Sequence, residues 1–246
     1  MKIISQRLIR VTAVLTIMLS MMGTAAMADN TQVILIGDAA KEENDMPKEI
    51  MTRISIPEET WQLVAVVGSG MDSSSVNVSY LKKEENGIWK EQFCVPGFCG
   101  YYGMTNDKKE GDRCTPTGMY GFVSTFGILP DPGSQIPYRQ VEDGDFWVDD
   151  SDSRYYNQMV NIREVVPEWH SAEELIRIKP SYHYVLALDY NTAERVPGKG
   201  SAIFLHGIDP QKTWTEGCIA IPEEQVKLLI QELDCTAKIV ILPKDR

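Results

Sequence analysis

Basic residues are in short supply. The 246-residue chain has 24 Lys and Arg against 35 Asp and Glu, a formal net charge of −11. A chain this acidic offers no cationic face for phosphates, which argues against nucleic acid as a partner. Histidine is scarcer still, with only His170, His183 and His206, far apart in sequence. Cys94 and Cys99 are followed by no second His or Cys pair at ligand spacing, so no metal is expected. Cysteine is odd in number: Cys94, Cys99, Cys114, Cys218 and Cys235. Any disulfide framework therefore leaves at least one thiol unpaired. The most apolar uncharged stretch, Val11 to Gly23, has 13 residues, short of the roughly 20 that span a bilayer. There is no internal repeat and no low-complexity tract.

What is present reads as a globular protein. Apolar residues make up 43% and aromatics 9%, too much of both for a disordered chain. Lys2, Arg7 and Arg10 precede the 13-residue run, and Ala26-Met27-Ala28 supplies a small-x-small site. Residues 1–28 are thus expected to be a cleaved signal peptide, with no stable membrane insertion afterwards. Residues 29–59 read as a lead-in, with a small strand at Val33-Ile34-Leu35-Ile36 and an exposed charged linker from Lys41 to Lys48. Residues 60–246 read as one domain. Export permits disulfides. With one thiol kept for chemistry, the other four can pair in three ways, and spacing does not choose among them.

The domain is expected to be mainly β. Strands are predicted at Trp61 to Val67, around Val76, Val78 and Tyr80, at Ile88 to Val95, Ser181 to Tyr190, Ser201 to Leu205 and Lys238 to Leu242. Asn86-Gly87 predicts a type I′ hairpin turn. Phe98 to Phe146 is rich in Gly, Pro and Asp and reads as long loops, either binding loops or simple turns. One or two short helices are predicted. Glu168 to Ile178 is the first, ended by Pro180. The second starts at Pro222 and buries Val226, Leu229, Ile230 and Leu233 along one stripe.

One segment carries chemistry. Phe204-Leu205-His206-Gly207 ends a strand, and Thr215-Glu216-Gly217-Cys218-Ile219 follows a short loop. A thiol attacks as thiolate, and a neighbouring imidazole favours that form. Glycine before the cysteine allows a tight turn whose amides converge on one point, as an oxyanion requires. A helix starting soon after Cys218 would add positive potential. His183 lies in a predicted strand and reads as structural, and His170 as surface.

These residues resemble the L,D-transpeptidase catalytic domain, a family of exported bacterial cysteine enzymes that cross-link peptidoglycan. The family motif, His-Gly or His-Ser, a spacer, then Ser-His-Gly-Cys, is similar to His206-Gly207 and Thr215-Glu216-Gly217-Cys218-Ile219. Tyr102-Gly103-Met104, Asp107-Lys108-Lys109-Glu110-Gly111-Asp112 and Thr115-Pro116-Thr117-Gly118 resemble its upstream segments, as do Tyr190-Asn191 and Gly198-Lys199-Gly200-Ser201. The likeness spans roughly residues 60–246. Glu216 stands where many members have a second His, and Ala220 where many have an Arg, as in a short-spacer branch.

The resemblance implies an L,D-transpeptidase-like mixed β-sandwich. It implies an acyltransferase, secreted to the cell wall or periplasm, that acts on peptidoglycan stem peptides without a cofactor. His206, oriented by the Gly207 carbonyl, would take the Cys218 proton. Cys218 would attack the third residue of a tetrapeptide stem and expel D-Ala, with the Gly217 and Cys218 amides on the oxyanion. An amine would then open the thioester to give a 3→3 cross-link. Water in its place would make the protein a carboxypeptidase, and a domain without turnover would be a wall-binding protein. Thr215, Glu216 and Tyr102 are the candidate substrate contacts. A carboxylate two residues from the thiol should raise its pKa, so Glu216 either points away or binds a substrate amine.

Overall fold

A computed structural model describes residue 50 and residues 52–244. The expected signal peptide and the strand at residues 33–36 lie outside the described residues. Among the described residues no helix is long and apolar enough to cross a membrane.

One mixed ten-stranded sheet dominates. Its centre is β1 (Gln62–Gly68), β2 (Ser75–Lys83) and β3 (Trp89–Phe98), an antiparallel meander. Two further pairs are β4 (Met104–Thr105) with β5 (Thr115–Pro116), and β6 (Gly118–Tyr120) against the last strand. Then come β7 (Phe122–Gly127), β8 (Tyr138–Gln140), β9 (Asp145–Val148), β10 (Gln158–Asn161) and β11 (Ala172–Glu174). The chain closes with β12 (Val185–Leu188), β13 (Phe204–Gly207), β14 (Ile219–Ile221), helix α1 (Glu223–Glu232) and β15 (Lys238–Pro243). The order across the sheet is β6-β15-β1-β2-β3-β14-β13-β12-β7-β8, and β10-β9-β11 form a separate small sheet.

Both faces of the large sheet are covered, and alternation assigns each side chain. Val64, Val66, Leu186, Leu205, Ile219, Ile239 and Ile241 point to one face. There they join Val226, Leu229 and Ile230 of α1 in a single core, so the two halves of the sheet curl toward each other. The other face carries two separate clusters. One holds Leu63, Ala65, Val240 and Leu242 with Ile50, and Ile54 and Ile56 pack against it, so apolar packing begins before residue 60. The other holds Phe126, Val185, Phe204 and Cys218, roofed by Trp147, Leu175 and Tyr182 from the small-sheet region.

Several local expectations are corrected. Glu168 to Ile178 is not a helix. Ala172–Glu174 pairs with Phe146–Val148 of β9, and only Leu175–Arg177 makes a 3₁₀ turn that buries Leu175. Burying Leu175 under β9 outweighs a helix that Pro180 would truncate. Ser181–His183 is another 3₁₀ turn, which shortens the predicted strand there to β12. Phe98 to Phe146 is a run of short strands, with β7 an inner strand of the sheet. The hairpin is a three-residue loop. Gly87 N–H donates to Glu84 O at 2.8 Å, and Gly87 has φ +83° while Asn86 keeps a negative φ. That is a type I turn with a bulge glycine, not type I′. All five cysteines are free thiols.

Candidate active site

His206 and Cys218 are brought to one face by strand register. β13 and β14 run parallel, with Leu205 opposite Ile219 and His206 opposite Ala220. Leu205 and Ile219 enter the inner core. Phe204, His206 and Cys218 therefore emerge on the other face, where His206 and Cys218 line a cleft of about 390 Å³ and Phe204 is buried in the cluster beneath. Thr215 and Glu216 also line it, with Glu173, Tyr182, Lys179 and Trp214.

Each group has a fixed orientation. His206 Nδ1–H donates to Gly207 O at 2.8 Å, which leaves Nε2 as the free lone pair. The Tyr182 ring lies edge-on to the imidazole at 5.4 Å. The Cys218 thiol donates to Ala202 O at 3.1 Å, and its sulfur accepts from Phe204 N–H at 3.4 Å.

Two buried threonines brace the turn before the thiol. Thr115 Oγ1 accepts from Gly100 N–H and donates to Gly217 O, both at 2.8 Å. Thr215 Oγ1 accepts from Gly217 N–H at 3.1 Å and donates to Cys218 O at 2.6 Å. The Gly217 amide is thus already satisfied, contrary to its expected use as an oxyanion donor. Cys218 N–H is left without a partner among the described residues. Gly217 serves by its shape. Its φ is +146°, and a Cβ there would sit 3.0 Å from Cys114 O.

The family comparison agrees with this geometry. The YkuD family model, L,D-transpeptidase catalytic domain, matches residues 66–241. The chain belongs to that family. No curated protein matches. A solved structure that does is the Ldtfm–avibactam carbamoyl enzyme, at 13% identity and a TM-score of 0.36, covering 77% of this chain and 51% of that one. The present chain thus spans about half the length of that structure.

Within this L,D-transpeptidase domain burial favours the neutral forms of both His206 and Cys218. Burial pushes His206 down to about 4, and the Gly207 carbonyl only partly opposes this. Burial also drives the Cys218 thiol well above its ordinary value, with the Glu173 carboxylate adding to the effect. These shifts favour a protonated thiol and a neutral imidazole over an imidazolium–thiolate pair at rest. The expected helix dipole does not help, because β14 separates Cys218 from α1, and α1 packs in the inner core.

The remaining candidates sit on the lip. Glu216 does not stand free for an amine. Arg113 holds it with two hydrogen bonds, at 2.7 and 3.2 Å. Tyr102 is outside the cleft, exposed, and packed edge-on against Tyr101 at 4.8 Å. Outside the cleft, His183 Nδ1 pairs with Glu223 at the start of α1 at 2.8 Å, and His170 is exposed.

Sequence reasoning missed Glu173, Tyr182 and Arg113, and it placed Lys108 in the upstream motif run without giving it a role. Lys108 is buried beside Gly217 and Gly200, paired with Asp112 at 2.5 Å. Its motif neighbour, Thr-Pro-Thr-Gly, was the available signal. Glu173 and Tyr182 carried none, since each lies in a segment whose predicted structure was wrong.

Proposed function

We propose that the domain is a peptidoglycan L,D-transpeptidase acting through a Cys218 thioester. The observation that carries this reading is the shared cleft. A thiol just before β14 and an imidazole on β13 line the same cleft, with the imidazole tautomer fixed so that Nε2 can accept a proton. Because the thiol rests protonated, its proton passes to His206 as sulfur attacks, in general-base fashion. The carbonyl attacked is that of the third residue of a tetrapeptide stem. The Cys218 amide steadies the oxyanion, and imidazolium returns the proton to the departing D-Ala. A side-chain amine of a second stem then opens the thioester, giving a 3→3 cross-link. Export to the wall, with residues 1–28 removed, belongs to the same reading. N-terminal sequencing of secreted protein should begin at Asp29.

The test is intact-protein mass spectrometry with disaccharide-tetrapeptide. The wild type should gain an acyl adduct minus D-Ala, on Cys218, and release cross-linked dimers. Cys218→Ser should show neither while remaining folded. Shortened monomers without dimers would make it an L,D-carboxypeptidase. No adduct at all would make it a wall-binding domain.

A further inference from the structure

Glu173 is a carboxyl with no assigned work at the centre of the candidate site. It reaches the cleft from β11, beside Cys218 and His206. One of its oxygens, Oε2, accepts from Tyr182 OH at 2.7 Å. Tyr182 is itself locked between the His206 and Phe204 rings, at 5.4 and 5.8 Å. The other oxygen has no partner among the described residues. The cleft's other carboxylates are matched by cations: Glu216 by Arg113, and Asp209 by Lys212 at 3.9 Å. Glu173 has no Lys or Arg within ion-pair distance among the described residues. The complementary cation must come from what binds there.

We propose that Glu173 is the seat of the acceptor, holding a primary amine against the thioester and taking up its proton. This rests on the thioester reading above. The acceptor arrives as an ammonium and first gives one proton through Glu173 to solvent; its free amine nitrogen then bonds to the thioester carbonyl carbon and the C–S bond breaks. Cys218 leaves as thiolate, and the proton lost by nitrogen goes to Glu173 and from there to sulfur. Two features support the role. Burial holds the carboxyl up to about 7, where a proton is gained and lost easily near neutrality. The Glu173 charge also raises the thiol, so an ammonium seated on it cancels the group that opposes thiolate.

The experiment follows the preformed Cys218 thioester, made with disaccharide-tetrapeptide, as it partitions between Nα-acetyl-lysine and water. Glu173→Gln keeps an acceptor for Tyr182 OH. It should lower aminolysis about tenfold or more, within the range of general-base effects, with no matching fall in hydrolysis or in the rate of thioester formation, which loss of the charge that opposes thiolate would if anything speed. Glu173→Asp should retain part of the aminolysis. An unchanged partition ratio overturns the proposal. So does an equal fall in hydrolysis, or a loss of thioester formation that matches the loss of aminolysis. A wild type that forms no thioester overturns the underlying reading as well, and is seen in the first measurement.

Discussion

Arg113 grips Glu216 through Nε–Oε2 at 2.7 Å and Nη2–Oε1 at 3.2 Å, while its guanidinium lies 4.4 Å from the Tyr101 ring centre and 4.6 Å from that of Trp214. One arginine thus fastens two loops of the lip together and covers the carboxylate two residues before Cys218.

Removing it should separate activity from stability. The pair is exposed, so Arg113→Ala should cost only about 0–1 kcal/mol, little of it seen in thermal melts. Glu216 lies on the side that raises the Cys218 thiol, and without its partner that effect grows. Alkylation of Cys218 should slow several-fold. Arg113→Lys should not restore it, because a lysine cannot hold the carboxylate at two points. A wild-type alkylation rate in Arg113→Ala would refute the argument.

The neutral resting pair sets a pH dependence of its own. His206 shares its cleft with Tyr182, Cys218, Lys212 and Asp209, and burial holds it at about 4. As the base of the proposed reaction it would stay unprotonated until the pH falls to that value. Thioester formation should persist to about pH 5 and drop through about pH 4, not 6.5. His206→Gln should lose about 10²–10⁴ in rate. At pH 7.5 without substrate, iodoacetamide should modify the exposed Cys94 and Cys235 well before Cys218. An acid limb near 6.5, or a Cys218 that reacts first, would restore the ion pair.

Legibility in the sequence followed locality. The strands β1, β2, β3, β13 and β15 and the helix α1 were readable because alternation or a 3.6 period states burial directly. Cys218 and His206 were readable because strand, loop and Gly-Cys lie within one short stretch. Glu173 was not, because its role comes from contact with residues about 30 to 45 positions away through a small sheet that pairs β11 with β9. The Arg113–Glu216 pair spans 103 residues, and nothing local in either segment announces it. The β14 strand escaped notice because Ile219-Ala220-Ile221 is short and Pro222 invites a helix at once.

Lys108 tests the loop that supports the turn. Its side chain is nearly enclosed, and it meets Asp112 at 2.5 Å. Asp112 also accepts from the N–H groups of Lys109 and Cys114, at 2.8 and 2.9 Å. Breaking a buried pair by removing one member costs about 3–5 kcal/mol. Asp112 is part-exposed, so Lys108→Met should lose about 2–3 kcal/mol in urea denaturation, on the low side of that range. Adding Asp112→Asn should recover part of the loss if the unpaired charge is its cause. Thioester formation should fall too, because this loop carries Thr115, which holds Gly217 O. An unchanged midpoint in Lys108→Met would remove the pair from the account.

Glu173 should leave a signature in the stability of the folded protein. Burial raises its folded value to about 7, in surroundings that include Tyr182, Asp149, Glu110 and Cys218, with His206 and Lys179 lining the same cleft. In the unfolded chain a glutamate titrates near 4.3. Between those two values the folded state holds the extra proton, so stability falls as pH rises from about 4.3 to about 7. His206 works in the opposite sense. Its folded value of about 4 lies below the unfolded 6.5, so the unfolded state binds more protons and stability rises with pH across about 4 to 6.5. The two slopes oppose each other in the wild type. Glu173→Gln removes only the first. Its melting temperature should therefore gain on wild type between pH 4 and pH 8, by about 2–4 °C for each kcal/mol released. His206→Gln should lose the rise between pH 4 and 6.5. A difference between Glu173→Gln and wild type that stays constant across this range would mean that the carboxyl is not held protonated in the cleft.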